Sequence, residues 1–225
     1  MLTQPAALLI GRNHVLRRGI VLNLLGRLQS GLGFMALSVL AALLVTVPAE
    51  AHADPDLAGG FMTGFLHPLS GYDHMLAMVS VGLWGAFLGR PLIVVLPMIF
   101  PAMMAVGGAL GMIGVPVPPV EIGIAVSVVV LGAAVAFKWR PPVWLAVVMV
   151  AIFALFHGYA HGHELPSIAD PIAYSLGFVI ATGALHIGGI AFGMFGRWAS
   201  GAAAIRVAGA TIAVLGGWFL YAATT

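Results

Sequence analysis

Long apolar stretches run along almost the whole chain, each ended by a short break carrying proline, glycine or charge. Beyond residue 57 the breaks fall at 90–91, 115–119, 138–142, 163–171 and 197–201. A helix needs about 20 apolar residues to cross a bilayer. The breaks therefore predict spans at 58–89, 92–114, 120–137, 142–162, 171–196 and 202–222. The expected fold is an all-α membrane protein with six transmembrane helices. The first span would be about 48 Å long as one helix, against a hydrocarbon core of about 30 Å. Pro68 and Gly71 lie inside it. Proline removes a helical hydrogen bond. The pattern thus predicts a half-helix over 57–66, a break near Pro68 at 67–70, and then a crossing helix. Broken backbone at membrane depth is tolerated only where protein or a wet cavity covers it.

The segment before residue 54 follows a different pattern. Arg12, Arg17, Arg18 and Arg27 precede an apolar run over 31–47, and small residues follow around Ala49, Ala51 and Ala53. A basic region, an apolar region and an A-x-A site describe a cleavable signal peptide. Residues 1–53 are expected to be that signal, cut after Ala51 or Ala53. Residues 54–225 would then form the membrane domain, with the mature N-terminus in the periplasm and the protein in the bacterial inner membrane.

Composition agrees with this reading. The chain has 225 residues, 61% of them apolar and 7% charged. A soluble domain carries about 25% charged residues. Mean hydropathy is +1.10. A soluble enzyme, a nucleic-acid binder and a disordered chain are all excluded. There is no Cys, which removes disulfides, iron–sulfur clusters and thiolate metal sites. Charge placement supports the orientation. Arg90, Lys138, Arg140, Arg197 and Arg206 fall on the inner side of the six predicted spans. Asp54, Asp56, Glu121, Glu164 and Asp170 fall on the outer side. This satisfies the positive-inside rule.

Against that background the buried polar residues stand out. His67, Asp73 and His74 cluster in the first span, and His157, His161, His163 and Glu164 end the fourth. On a helix, His161 and Glu164 lie within about 40° of His157, so the three share one face at i, i+4 and i+7. His163 falls off that face, toward water. Thr182 and His186 lie one turn apart in the fifth span, and Thr182 is a candidate partner for His186. An Asp inside a membrane is costly enough to need a partner or a hydrated interior. Imidazole with carboxylate suits divalent first-row metals and also a proton relay. The candidates are spread over depth, as a transport path requires, rather than gathered at one level like a structural cage. Expected order along the path is His163 and Glu164, then His161 and His157, then His67, Asp73 and His74, then His186.

Two other function classes remain open on these residues. Leu69-Ser70-Gly71 with a distant His suggests an intramembrane serine protease, although Pro68 stands where a Gly is expected. Paired His on facing helices suggests a bis-His haem protein, which leaves Asp73 and Glu164 without a role. A divalent-metal transporter accounts for all of them. No permanently bound cofactor is expected; the metal would be cargo.

The motif His67-x5-Asp73-His74, preceded by Gly64-Phe65-Leu66 and followed by Met75 through Trp84, resembles the first-helix signature of the HupE/UreJ family. Phe156-His157-Gly158-x-Ala160-His161-Gly162-x-Glu164 resembles its fourth-helix signature. Thr182-Gly183-x-Leu185-His186-x-x-Gly189-Ile190 resembles its fifth-helix segment. The resemblance covers the mature chain in order. It implies a secondary permease for Ni²⁺, in some members Co²⁺, serving hydrogenase or urease maturation. Carried over by residue, it implies metal handling by His67, Asp73, His74, His157, His161 and Glu164. It also implies a role for His52 at the mature N-terminus if the cut follows Ala51.

Overall fold

The computed structural model describes residues 60–117, 119–164 and 170–225. The signal-peptide expectation, its cut sites and His52 lie outside those residues. Among the described residues the structure is all helical: α1 (Phe61–Ser70), α2 (Tyr72–Leu88), α3 (Leu92–Met112), α4 (Val120–Ala136), α5 (Val143–Glu164), α6 (Pro171–Met194) and α7 (Ala199–Ala222). A single 3₁₀ turn at Phe195–Arg197 joins α6 to α7. Helices α3, α5, α6 and α7 are long and apolar enough to cross a membrane, as befits a multi-pass membrane protein, and α4 is a shorter apolar helix of 17 residues.

The first segment is broken, but later than its Pro68 suggests. Helix α1 runs through His67 and Pro68 to Ser70, and the break is Gly71 alone, at φ −87° and ψ 106°. Pro68 cannot donate to the Gly64 carbonyl. The turn that follows Pro68 is held on a different oxygen: Ser70 Oγ donates to the His67 carbonyl at 2.8 Å and the Gly71 N–H reaches it at 3.4 Å. His67 therefore sits inside α1 and not at its end.

Helix contacts are made by bare backbone. A Cβ at Gly158 or Gly162 of α5 would strike the carbonyls of Met104 or Gly108 on α3. In return, Gly107 and Gly111 of α3 meet the Leu155 and Tyr159 carbonyls of α5. The register rises together along both helices, so α3 and α5 run parallel. Gly82 of α2 abuts the His186 carbonyl of α6, and Gly189 of α6 abuts that of Val79. Gly132 of α4 meets Gly209 of α7 in the same way, and Gly216 lies against Val129. Small residues let membrane helices approach this closely.

The ends of the bundle differ in charge. Trp84 Nε1 donates to the Trp139 carbonyl at 3.1 Å, and Arg206 Nε donates to the Ala136 carbonyl at 3.0 Å. These bonds bring the ends of α2 and α4 and the start of α7 together. Lys138, Arg140 and Arg197 gather there. Glu121 and Asp170 lie at the opposite ends of α4 and α6.

Glycine substitutions separate contact from propensity. Gly158→Val would drive a branched side chain into a fixed carbonyl and should cost at least about 3 kcal/mol. Loss of folded protein in detergent extracts is the expected result. Gly183 and Gly217 face open space. Their Ala variants should melt at or slightly above the wild-type temperature, because Ala favours helix over Gly by about 1 kcal/mol.

Candidate metal site

Asp73 and His74 begin α2, directly after the break. The Asp73 carboxylate lies in the first turn, where unpaired N–H groups and the helix dipole favour negative charge. Its Oδ1 accepts from the His74 backbone N–H at 2.8 Å and from His74 Nδ1, also at 2.8 Å. Gly71 leaves room for this pair: a Cβ there would stand 3.3 Å from Asp73 Oδ1 and 3.4 Å from His74 Nδ1. A carboxylate can only accept, so Nδ1 of His74 carries the proton. The lone pair is left on Nε2, which is buried and has no hydrogen-bond partner among the described residues. Carboxylates orient metal-binding imidazoles in this manner.

His157 is fixed by a residue that sequence reasoning passed over. Ser127 of α4 donates its hydroxyl to the Ile124 carbonyl at 2.6 Å. The Ser127 oxygen lies 2.8 Å from His157 Nε2. With its own proton committed, Ser127 accepts, and His157 carries its proton on Nε2. The lone pair falls on Nδ1, which is fully buried and unpartnered. The available clue was that Ser127 is the one hydroxyl residue of α4, in an apolar run beyond Glu121.

The rings form a chain. His67 stands 4.8 Å from His161, His161 4.5 Å from His74, and His74 4.6 Å from His157, all between ring centroids. His67, His74, His157 and His161 thus come from α1, α2 and α5. Neither nitrogen of His161 has a hydrogen-bond partner, and its ring packs against Phe178 at 4.5 Å. The rings alternate between helices, whereas the sequence pattern had set His161 and His157 ahead of His74. Among the described residues, no three of these groups already surround one common point as a ligand cage.

The other candidates fall elsewhere. His163 is exposed and stacks on Tyr159 at 6.2 Å. Glu164 closes α5, and its side chain lies outside what the structure describes. His186 is buried on α6, separated from His157 by the ring of Phe100, which is 5.6 Å from one and 5.4 Å from the other. Thr182 is buried too, but it is not the partner of His186: Thr182 Oγ1 and both His186 nitrogens are unpartnered among the described residues. Ser80 of α2 is a further buried hydroxyl with no partner. Ser70, the nucleophile of the protease alternative, spends its hydroxyl on the His67 carbonyl and pairs with no imidazole among the described residues.

A cavity of about 300 Å³ opens onto His161 between α3, α5 and α6. Met104, Gly108, Gly162, Tyr174 and Phe178 help line it. It lies toward the end of the bundle where α5 finishes and α6 begins.

A family model described as HupE / UreJ protein matches residues 40–219. Protein HupE of Rhizobium leguminosarum bv. viciae is 43% identical over 180 residues, covering 80% of this chain and 93% of that protein. No solved structure matches this chain.

Nitrogen NMR of histidine-labelled protein reads these tautomers directly. His74 should be protonated on Nδ1 and His157 on Nε2 when neutral. Ser127→Ala should shift His157 toward a mixture and leave His74 unchanged. A His157 spectrum that does not respond to this substitution would contradict the assigned hydrogen bond.

Proposed function

Because the chain belongs to the HupE/UreJ family, we propose that it is a secondary permease that carries Ni²⁺, or Co²⁺, across the inner membrane for hydrogenase or urease maturation. The observation that carries this reading is the run of buried imidazole nitrogens left without protein partners. An unsatisfied buried polar atom costs about 1–3 kcal/mol. His74 Nε2 and His157 Nδ1 are the open nitrogens on two rings 4.6 Å apart. A divalent metal with affinity for imidazole offsets that cost.

The cavity beside His161 gives a hydrated ion a way in from the proposed periplasmic side. There His161 and His67 replace part of its water. His74 takes it next, with its basicity raised by the Asp73 carboxylate. His157 follows, and Phe100 then separates the ion from His186. Each site offers few ligands, so an ion can leave as well as bind. Six crossings, with the broken α1–α2 segment as the first, put the basic ends of α2, α4 and α6 in the cytoplasm. The chain contains no nucleotide-binding P-loop motif. A gradient or intracellular trapping of the metal therefore supplies the driving force.

Uptake of radiolabelled Ni²⁺ and Co²⁺ by cells expressing matched amounts of each variant tests the reading. His74→Ala should abolish uptake, and Asp73→Asn should lower it by about 10-fold or more, the usual cost of removing an orienting carboxylate. Normal uptake in both variants would refute the site.

A pH series gives a separate check. Protons compete with metal for neutral imidazole, whose ordinary pKa is about 6.5. Wild-type uptake should fall as external pH drops through that value. A rate that rises or stays level on acidification would oppose imidazole ligation.

A further inference from the structure

The basic end of the bundle holds a second cavity, of about 350 Å³, between the ends of α2, α4 and α6 and the start of α7. Lys138, Arg140 and Arg197 line it together with apolar residues, among them Phe87 and Ile205. No acidic residue lines it, and the only ion pair among the described residues is that of Asp73 with His74, at the other end of α2. Like charges gathered around a cavity repel one another unless an anion joins them.

Anchoring at the membrane surface and capping of helix carbonyls account for some of these cations, but not for all. Arg206 is committed to the Ala136 carbonyl. Arg140 lies over the Phe87 ring at 4.5 Å and reaches the Phe87 carbonyl at 3.4 Å. The side chains of Lys138 and Arg197 make no hydrogen bond or ion pair among the described residues.

Lys138 is unusual in its backbone as well. Helix α4 ends in a pair of reversed bonds: Trp139 N–H to the Ala134 carbonyl at 2.9 Å and Lys138 N–H to the Val135 carbonyl at 3.2 Å. This closure needs a left-handed residue, usually Gly. Helix α3 ends in the same pattern, Val115 to Leu110 and Gly114 to Gly111, and there the left-handed residue is Gly114 at φ 70°. In α4 the position is taken by Lys138 at φ 54°. A side chain is kept where the backbone favours none, and that side chain lines the cavity.

The surroundings indicate the depth. Phe137 is 80% exposed, and Trp139, Trp144 and Trp198 are exposed near the same end. Exposed aromatic residues of this kind mark the headgroup level of a membrane. We infer that Lys138, Arg197 and Arg140 form a binding site for a phosphate group, presented by an anionic phospholipid headgroup or as free inorganic phosphate. Arginine forks and a lysine ammonium suit the oxygens of a phosphate. The site stands apart from the histidine chain and does not depend on the identity of the cargo.

The test uses the full-length protein, stripped of lipid in an uncharged detergent. Its melting temperature is followed while phosphatidylglycerol, phosphatidylcholine or inorganic phosphate is titrated in. Phosphatidylglycerol should stabilise the wild type, and phosphatidylcholine should not. Lys138→Gly should weaken the effect about fivefold, and Lys138→Gly with Arg197→Gln about 25-fold, at roughly one cation's contribution each. Lys138→Gly relieves the left-handed strain, so without lipid it should melt no lower than the wild type. Arg197→Gln alone repeats the comparison with the α4 cap unchanged. Arg90→Gln removes a basic residue at the same end that does not line the cavity, and it should change nothing. A response to inorganic phosphate with the same dependence on Lys138 and Arg197 supports the site and names free phosphate as its source. The proposal is overturned if Arg90→Gln weakens binding as much as Lys138→Gly. Wild-type affinity in the double variant, or no response to either phosphate compound, overturns it equally.

Discussion

Backbone-to-backbone contact through glycine is the constraint on which the rest of this structure depends. Helices in a membrane gain little from hiding apolar surface from one another, since the lipid is equally apolar. Close packing and small residues hold them together instead. Here the contact points are also the registration points of the polar chain. Gly158 and Gly162 follow His157 and His161 directly in sequence. Pressing those glycines against the Met104 and Gly108 carbonyls of α3 fixes the rotation of α5 and hence the direction of both imidazoles. On α2, Gly82 bears on the carbonyl of His186 itself. The glycines take no part in any chemistry, but a change in their contacts would turn the histidines away from one another.

A second consequence concerns protons. Neutral imidazole has one donor and one acceptor, and which nitrogen holds which depends on its neighbour. Asp73 and Ser127 each occupy one nitrogen of one histidine, one as a carboxylate, the other as a hydroxyl whose own proton goes to Ile124. Both leave a lone pair on the remaining nitrogen. Two helices with different local chemistry thus arrive at the same result on adjacent rings. An ordinary core histidine is placed so that both nitrogens are satisfied. At His74 and His157 one nitrogen is satisfied and one is left open among the described residues.

Much of this was legible along the chain, and what was not has a physical cause. Apolar runs and their breaks gave the helices within a few residues, because a membrane helix must satisfy its backbone bonds internally and stop where polar sequence begins. The same-face spacing of His157 and His161 is a property of one helix, so sequence alone contains it. The break after α1 moved from 67–70 to Gly71: Pro68 removes only its own bond to Gly64, and a serine hydroxyl and a glycine N–H hold the next turn on the His67 carbonyl. Ser127 was passed over because its importance lies entirely in a neighbour 30 residues away. The same holds for Phe100, which reads as a core residue until it is found between His157 and His186. Thr182 and His186, one turn apart, look like partners on a helical wheel, yet neither bonds the other. Spacing along one helix predicts a shared face; it does not predict which atoms meet.

The alternation of rings bears on how such a chain handles an ion. Had His157 and His161 formed one site on α5 and His67 and His74 another on α1 and α2, transfer would need an ion to leave one helix before meeting the next. In the observed order, His67, His161, His74 and His157, successive rings come from different helices at spacings of 4.5–4.8 Å. On the proposed permease reading, an ion passing along these rings would change partners one at a time rather than shed all its ligands in an apolar interior. Exposing a bare divalent ion there would cost far more than any single imidazole bond returns. Selectivity on such a path cannot come from raw affinity, which for nitrogen ligands rises toward copper. It has to come from geometry and from how readily the ion exchanges partners. Both depend on the glycine contacts that seat α5 against α3 and α1 and α2 against α6.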